Sequence, residues 1–385
     1  MIRKVLLIRN VAPDKFGGAE MYQLKLAEIL KRNGFEPVVV TASDSLLFKA
    51  KEKGFRVVRA PWIKRQNWSG VRNFLFPLYV LEQMKLRKWY KKLFLVEKPA
   101  VINVQSKDEW IAATRAAEGL GVRILWTDHA DFRSWVLVNA KVKYKNAIGK
   151  WILKCARDTY KIILISDAEK AWLDKNVGEM RNLEVIKNGV LDEYVGYKNE
   201  KAKEMSFCYV GRVVKEKGMR ELVDAFEAVR KKYPEARLTI CGGEGGEKGK
   251  EELKEICGDV VFDNIDMMGR VDNVPVVLAK NKTFVLPSYN EGMSLALVEA
   301  MMMGKMIITT DVGAAKEMIK SGEEGILVEP RDMVALASAM AEAIAKPKMT
   351  EEMGRKARKR FEKEFDFEEI FAKKMMSLYN VGKEK

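Results

Sequence analysis

Short apolar runs alternate with helix-like segments along this chain, in two consecutive series. Such alternation predicts parallel sheets covered by helices, because parallel strands need a crossover connection, which is usually a helix. The predicted strands are Val5–Ile8, Val38–Val40, Val57–Val58, Val101–Val104, Ile124–Trp126 and Ile162–Ile165 in the first series, and Phe207–Val210, Arg237–Cys241, Thr283–Leu286 and Met306–Thr309 in the second. A chain of 385 residues also exceeds one usual hydrophobic core. We therefore predict an α/β protein of two doubly wound domains, with ligands bound in the cleft between them.

The segment 285–300 places two carboxylates in different settings. A strand-like run ends just before a proline, Glu291 lies on the loop that follows, and Ser294 opens a helix that carries Glu299. The backbone amides at the start of this helix are those of Met293, Ser294 and Leu295. Free amides and the helix dipole favour a phosphate at such a position. Taken alone, however, a strand, a loop and a helix with two glutamates are also ordinary surface chemistry.

A basic loop follows the strand at Phe207–Val210. It contains Gly211, Arg212 and Lys217, and a helix pattern starts after Gly218. Arginine offers a planar fork of donors to a phosphate, and lysine offers a compact point charge. For this loop alone, a solvated basic turn is the favoured explanation.

Together the two segments resemble the retaining glycosyltransferases of family four, the glycosyl transferases group 1. The first has the E-x7-E pattern of that family, and the second has its G-R-x4-K-G pattern. The family has the GT-B fold, in which two Rossmann-like doubly wound parallel-sheet domains face a central cleft. The resemblance implies that Arg212 and Lys217 hold the donor diphosphate, that Glu291 meets the donor sugar and that Glu299 binds the ribose. The other donor-binding residues that it implies are Gly17, Gly18, Gly211, Arg270, Met293, Ser294 and Leu295.

The loop after the first strand resembles the G-G-x-E loop of the same family. It carries Gly17, Gly18 and Glu20. Two glycines allow a close approach of the backbone to a ligand and supply conformations that other residues avoid. A simple strand-to-helix turn explains the loop equally well.

His129 is the only histidine of the chain and directly follows a predicted strand. Strand ends are where ligands collect in doubly wound sheets. By resemblance, His129 contacts the donor sugar and belongs to the catalytic set with Arg212, Lys217 and Glu291. We expect Asp131 and Arg133 on the acceptor side, with solvated surface charges as the alternative.

The resemblance extends over nearly the whole chain and suggests its division. We predict an acceptor-side domain at 1–195, a nucleotide-sugar-binding domain at 196–365 and a C-terminal helix at 366–385 that crosses back to the first domain. The pattern of Phe361–Tyr379 is helical. Two further landmarks have expected structural roles: Ser166 caps a helix, and Asn188–Gly189 shapes the passage between domains.

The implied function is transfer of a hexosyl or N-acetylhexosaminyl group from a nucleoside-diphosphate sugar to a hydroxyl of a glycan or lipid acceptor. A UDP-linked donor is favoured, with GDP-mannose next, and anomeric configuration is retained. We expect neither a cofactor nor a metal, since the chain has no convincing D-x-D pair at a strand end. The alternatives are a non-catalytic subunit that binds a sugar nucleotide, a sugar-nucleotide epimerase and a basic nucleic-acid-binding protein. The last would need a recognisable binding motif, and none is evident.

The net charge of +15 indicates either an anionic partner or a surface of solvated basic side chains. Basic residues and aromatics combine at 85–94, where Trp89, Tyr90 and Phe94 lie among lysines, and again at 141–154. Such a face suits an anionic membrane surface, whereas a solvated helix with a leucine core face is the alternative. A signal peptide and a spanning segment are not evident, and four scattered cysteines suit a reducing compartment. We expect a cytoplasmic protein, peripheral on the inner face of the membrane, with no specific nucleic-acid partner.

Overall fold

The computed structural model describes residues 3–13, 17–61, 76–129, 147–197, 200–259 and 262–380. The chain divides into two compact units. One is Met1–Ile186 together with Ala372–Lys385, and the other is Lys187–Phe371. The first passage between units therefore precedes residue 195, and the return to the first unit follows residue 366.

The described part of the first unit contains a parallel sheet of seven strands. These are β1 (Arg3–Ile8), β2 (Phe35–Thr41), β3 (Arg56–Arg59), β4 (Val101–Val104), β5 (Arg123–Thr127), β6 (Lys161–Leu164) and β7 (Leu183–Val185). Their order is β3-β2-β1-β4-β5-β6-β7, with parallel pairing throughout. The strand order reverses between β1 and β4, which is the topological switch point of this sheet.

At least one helix lies between each strand of this sheet and the next. The helices are α1 (Gly18–Arg32), α2 (Asp44–Glu52), α3 (Phe76–Glu97), α4 (Trp110–Ala117), α5 (Ala147–Asp158) and α6 (Asp167–Val177). The buried core includes Trp110 of α4, whose ring stacks on that of Trp126 in β5 at 4.8 Å between centroids. The cap predicted at Ser166 is confirmed, because its Oγ accepts a hydrogen bond of 3.2 Å from the Glu169 amide at the start of α6.

The second unit repeats this plan with a six-stranded parallel sheet in its described part. Its strands are β8 (Ser206–Val210), β9 (Arg237–Cys241), β10 (Ile265–Gly269), β11 (Thr283–Leu286), β12 (Met306–Thr310) and β13 (Gly325–Val328). Its helices are α7 (Met219–Lys232), α8 (Gly246–Cys257), α9 (Val274–Lys280), α10 (Leu295–Met302), α11 (Ala315–Met318), α12 (Met333–Ala345) and α13 (Pro347–Glu364). The order β10-β9-β8-β11-β12-β13 puts the switch point between β8 and β11.

The prediction of two α/β units with parallel sheets is confirmed, and every predicted strand is present. Three strands were not predicted: β7, β10 and β13. Each of the three lies at an edge of its sheet.

The helical pattern predicted over Phe361–Tyr379 is interrupted in the structure at residues 365–366. Helix α13 ends at Glu364, and the backbone then pairs with Val190: the Val190 amide donates to the Phe365 carbonyl, and the Phe367 amide donates to the Val190 carbonyl. A π-helical stretch (Phe367–Ala372) follows and leads into α14 (Lys373–Tyr379). The aspartate at 366 accepts hydrogen bonds from the next amides, which breaks the helix and starts the new one. Helix α14 belongs to the first unit, where the Tyr379 hydroxyl accepts a hydrogen bond of 2.5 Å from Asn103 of β4.

Helix α3 matches neither interpretation of its sequence fully, because two aromatics of the basic segment are buried and several of its leucines are exposed. Tyr90 and Phe94 are buried in the core, and the Tyr90 hydroxyl donates to Glu109. The apolar side chains that α3 exposes are instead Leu78, Leu81, Met84, Leu95 and Val96. The helix has this orientation because its buried face is formed by residues at helical spacing, namely 79, 83, 86, 90 and 94. Of the second basic patch, residues 141–146 lie outside the described part of the chain.

Candidate active site

Two loops meet at the switch point of the second sheet. One follows β8 and the other follows β11, and these strands are neighbours in the sheet. The Tyr289 amide donates a hydrogen bond of 2.9 Å to the Glu216 carbonyl, which ties the loops together by their backbones. The loops that carry the two predicted motifs are therefore in contact.

An ion pair links the two motifs directly. Lys217 Nζ donates to Glu291 Oε1, and the two side chains are 15% and 14% exposed. Ser288 Oγ donates to the same carboxylate oxygen at 2.9 Å. A cation and a carboxylate from distant parts of the sequence thus lie together where a doubly wound sheet binds its ligands.

Glycines at two positions make this close approach feasible. Gly218 has φ of 68°, and a side chain there would place its Cβ 2.0 Å from the Pro287 carbonyl oxygen. Gly313 has φ of 56°, and its Cβ would lie 1.7 Å from the Glu291 carbonyl oxygen. Only glycine takes these backbone angles without strain and leaves room for the opposing chain. Both glycines therefore fix the backbone around the ion pair.

Tyr289 extends the contact between the loops. Its hydroxyl lies 2.6 Å and 2.7 Å from the two oxygens of Glu221 on α7. Burial, and then the hydrogen bond to Glu221 and its charge, raise the pKa of Tyr289 to about 12, so the hydroxyl remains a donor at neutral pH. Arg331 lies over the Tyr289 ring, 4.7 Å from its centroid.

The predicted helix start after the second loop is present. Ser294 is the N-cap of α10, and its Oγ accepts a hydrogen bond of 3.4 Å from the Leu297 amide. Leu295 is the first residue of α10, and Glu299 lies half-buried inside it. Met293 is buried, and its sulfur accepts a contact of 3.2 Å from the Asn188 amide near the start of this unit.

The first loop presents Arg212 to solvent. The Arg212 side chain is exposed, and its carbonyl accepts a hydrogen bond of 2.7 Å from the Tyr209 hydroxyl. Burial, and then the charge of Glu291, raise the pKa of Tyr209. Gly211 follows β8 and donates its amide to the Cys241 carbonyl at the end of β9. Arg270 is exposed after β10, two strands from β8.

In the first unit, a buried ion pair occupies the carboxyl edge of the sheet. Arg9 Nε donates to Glu20 Oε1 at 2.9 Å, and Arg9 Nη1 donates to the Gln105 carbonyl at 2.7 Å. The two charged side chains are 8% and 2% exposed. This pair fixes α1 to the ends of β1 and β4.

The two glycines of the first loop do not adopt left-handed backbone. Gly17 has φ of −163° and ψ of −157°, which is extended backbone. Gly18 does not have a positive φ. Gly17 is the N-cap of α1, where the Met21 amide donates to its carbonyl. Left-handed backbone is thus not the reason for this glycine pair.

His129 is half-buried, and its Nε2 is closed to solvent with no hydrogen-bond partner among the described residues. Its ring meets the ring of Tyr22 edge-on at 4.9 Å between centroids. Burial, and then the charge of Arg9, hold the pKa of His129 well below its usual value. The imidazole is therefore neutral at physiological pH. Asp131 and Arg133 lie outside the described residues.

Within the described ranges, no group of three or more histidines, cysteines or carboxylates could hold a metal ion. No helix in the same part of the chain is both long and apolar enough to span a bilayer. Arg212 and Lys217 are among the cations that the described loops offer to a phosphate.

The residues of the two sites that were not predicted from the sequence include Arg9, Gln105, Ser288 and Tyr289. Ser288 and Tyr289 lie inside the segment 285–300. The pattern of strand, loop and helix that indicated its glutamates could therefore have indicated these two residues as well. Arg9 and Gln105 each follow a strand directly, and a polar residue at that position is the signal that could have found them.

Comparison with known proteins agrees with this arrangement. The family model of Glycosyltransferase Family 4 matches residues 16–194, and that of Glycosyl transferases group 1 matches residues 193–360. CapM, a capsular polysaccharide biosynthesis glycosyltransferase of Staphylococcus aureus, is 27% identical over 307 residues, or 75% of this chain and 78% of CapM.

Solved structures share the fold at low sequence identity. A glycosyltransferase from Rickettsia africae ESF-5 superposes with a TM-score of 0.78 at 16% identity, over 98% of each chain. HepE of Anabaena, in complex with UDP and glucose, superposes with a TM-score of 0.71 at 17% identity, over 99% of this chain and 100% of HepE. Because the two family models together match residues 16–360, the chain belongs to the glycosyl transferases group 1 of glycosyltransferase family four, has the GT-B fold and is a glycosyltransferase.

Proposed function

We propose that this enzyme transfers a hexosyl or N-acetylhexosaminyl group from a nucleoside-diphosphate sugar to a hydroxyl acceptor in glycan or glycolipid synthesis. The observation that carries the proposal is the Lys217–Glu291 ion pair at the switch point of the second sheet. A donor of this class brings a diphosphate and a sugar to one place. A cation suits the diphosphate, and a carboxylate suits the sugar hydroxyls.

The leaving group is a nucleoside diphosphate whose negative charge grows as the glycosidic bond breaks. Arg212 and Lys217 supply positive charge there, and the amides at the start of α10 add hydrogen-bond donors. We therefore propose that transfer does not require a metal ion. In the ligand-free protein Glu291 neutralises Lys217, and an arriving diphosphate competes for the same cation.

The donor is proposed to be UDP-linked, with GDP-mannose as the second choice. HepE, which shares the fold, was solved with UDP and glucose. CapM takes part in capsular polysaccharide biosynthesis, which supports a glycan acceptor. Glu299 is proposed to bind the ribose, and the loop at Arg270 to lie against the base.

Retention of configuration follows from attack on the face that the diphosphate leaves. The bond between the anomeric carbon and the phosphate oxygen breaks, and its electron pair leaves with the diphosphate. The acceptor oxygen then bonds to the same face of the sugar, and its proton passes to a phosphate oxygen. An α-linked donor would give an α-linked product.

His129 is proposed to orient the sugar and not to act as a general base. Burial and Arg9 keep its pKa well below the usual value, which makes the imidazole a weak base. A neutral ring can still donate or accept one hydrogen bond at Nε2.

Donor turnover tests the proposed function. The protein is incubated with UDP-, GDP- and ADP-sugars, and nucleotide release and product configuration are followed by NMR, with and without a chelator. We expect acceptor-dependent release of UDP, unaffected by chelator, and an α-linked product. Binding without turnover would indicate a non-catalytic subunit, and interconversion of sugars would indicate an epimerase. A melting temperature that shifts with arbitrary DNA or RNA but not with nucleotides would favour the nucleic-acid-binding alternative.

The acceptor is proposed to be membrane-borne, with α3 as the docking surface. Leu78, Leu81, Met84, Leu95 and Val96 of this helix are each at least half exposed. Exposed lysines lie among them at positions 85, 88, 91 and 92. Apolar side chains beside lysines suit an interface with anionic lipid.

Changing Lys88, Lys91 and Lys92 to glutamate should abolish flotation with phosphatidylglycerol vesicles at low salt. Each lysine near such a surface contributes about 1 kcal/mol, so affinity should fall roughly a hundredfold or more. The matched control changes three exposed lysines of the second unit, Lys231, Lys348 and Lys363, to glutamate and should leave flotation intact. Equal flotation of both variants would exclude α3 and favour a soluble acceptor.

A further inference from the structure

Buried polar atoms without partners concentrate at one edge of the first sheet. Among the described residues, Asn10, Gln23, Gln105 and His129 each keep a buried side-chain nitrogen or oxygen with no hydrogen-bond partner. Buried polar groups in folded proteins are nearly always paired, so a cluster of exceptions requires an explanation. A ligand that supplies the missing partners is one such explanation.

Three of these residues follow strands at or next to the switch point of the sheet. Asn10 lies just beyond β1, Gln105 directly follows β4, and His129 lies just beyond β5. The three strands are consecutive in the order β1-β4-β5. Backbone bonds hold their ends in register: the Gln105 amide donates to the Ile8 carbonyl at 2.8 Å, and the Asn10 amide donates to Ser106 Oγ at 3.2 Å. Ligands of doubly wound sheets bind at this position.

Gln105 has more unpaired side-chain atoms than the other three residues. It is 2% exposed, and both its Oε1 and its Nε2 are without partners. Its backbone is fully engaged, because its amide donates to Ile8 and its carbonyl accepts from Arg9. The fold thus fixes the main chain of Gln105 and leaves one donor and one acceptor of its side chain unpaired.

Among its described residues, this edge offers carboxamides and no unpaired cation. The charges of Arg9 and Glu20 compensate each other within a buried pair, Asn10 and Gln105 are amides, and the buried Glu109, which accepts a hydrogen bond of 3.1 Å from Asn10, is a carboxylate. A phosphate or carboxylate would find no uncompensated cation among these residues. A sugar hydroxyl both donates and accepts, which matches the two ends of a carboxamide.

We propose that Gln105 is a specificity-determining residue that binds a ring hydroxyl of the transferred sugar or of the acceptor sugar, with Asn10 and His129 at the neighbouring strand ends. The assignment rests on the proposed glycosyl transfer and names the part of the substrate that this edge recognises. Both polar ends of Gln105 are closed to solvent in this structure, so the sugar reaches them through a local opening of the unit.

The test replaces Gln105 by methionine, which keeps the length of the side chain and removes both polar atoms. Wild type and Gln105→Met are compared on the UDP-hexose that wild type uses best and on single-deoxy analogues of donor and acceptor. We expect kcat/KM of the variant to fall about tenfold to a hundredfold on the parent substrates. One deoxy analogue should be poor for wild type and equal to its parent for the variant. Its place in the donor series or the acceptor series identifies which sugar Gln105 binds.

A stability measurement separates recognition from folding. Because the amide is unpaired, Gln105→Met should leave the melting temperature unchanged or raise it. The matched control is Gln83→Met, since Gln83 is also buried but its Oε1 accepts a hydrogen bond of 3.1 Å from the Ala112 amide. This control should lower the melting temperature and keep the discrimination against the deoxy analogue.

Two results would overturn the assignment. If Gln105→Met turns over donor but discriminates like wild type, only the role of Gln105 is wrong. If wild type itself turns over no sugar nucleotide with any acceptor, the proposed function fails and this assignment fails with it.

Discussion

The two switch points of this protein differ in whether their polar side chains are paired. At the second sheet, Lys217 and Glu291 neutralise each other and remain partly exposed. At the first sheet, Gln105 and His129 have buried polar atoms that are without hydrogen-bond partners among the described residues. The buried ion pair of Arg9 and Glu20 lies at the same edge. One edge therefore offers exchangeable charge, and the other offers neutral hydrogen-bonding groups.

The difference indicates that the two edges bind chemically different parts of the substrates. A phosphate oxygen of an arriving diphosphate can replace the Glu291 carboxylate at Lys217, because both are anions that accept from the ammonium group. An unpaired buried amide costs about 1–3 kcal/mol, and a ligand that pairs it recovers this energy. We infer that the second edge handles the charged leaving group and that the first edge recognises uncharged hydroxyls.

The largest expected effect concerns the charged edge. Lys217→Ala should lower kcat about a hundredfold to a thousandfold, the usual result of removing one preorganised group that stabilises transition-state charge. Arg212→Ala should lower kcat in the same direction. The matched control is Lys215→Ala, which removes an exposed lysine of the same loop and should leave kcat unchanged. If Lys217→Ala and Lys215→Ala behave alike in steady-state kinetics, the charged edge does not stabilise the leaving group.

A smaller effect should separate the two glutamates of the second edge. Glu299→Ala should weaken UDP binding about tenfold to a hundredfold, because the ribose that Glu299 is proposed to bind would lose a charged acceptor worth about 1.5–3 kcal/mol. Glu291→Ala should lower kcat more than it weakens UDP binding, because Glu291 is proposed to meet the sugar. Calorimetric titration with UDP measures the first effect, and Glu255→Ala on the exposed face of α8 is the control. Small and equal losses in both variants would show that the segment 285–300 has been misinterpreted.

The sequence predicts the interior of both sheets well and their edges poorly. Central strands such as Val101–Val104 are apolar at every position or nearly so, because helices cover both faces. The unpredicted strands β7, β10 and β13 are edge strands. In β10, buried and exposed residues alternate, and Asp266 interrupts the apolar run. An edge strand that is half exposed lacks the continuous apolar pattern on which the prediction depends.

The candidate sites show a similar limit. Motif patterns predicted the loops of the second edge, but the contact between Lys217 and Glu291 joins residues 74 positions apart and depends on β8 and β11 being neighbours. The pKa of His129 depends on burial and on Arg9, which the fold brings close from another strand. Gln105 is missed because one polar residue after a strand resembles many others until its burial is known.

The smallest expected effect tests the neutral edge through pH. Burial, and then Arg9, hold the pKa of His129 well below its usual value, whereas an unfolded histidine titrates near pH 6.5. Below about pH 6.5 the unfolded chain therefore binds a proton that the folded chain does not, so stability falls as pH decreases towards the folded pKa. The contribution is at most about 1.4 kcal/mol per pH unit. His129→Gln should reduce this slope by that contribution in urea unfolding between about pH 5 and 8. Since His129 is the only histidine, no other imidazole can mask the difference. Identical slopes for wild type and variant would mean that His129 becomes charged in the folded protein, and His129 would then not be a neutral hydrogen-bonding group of the first edge.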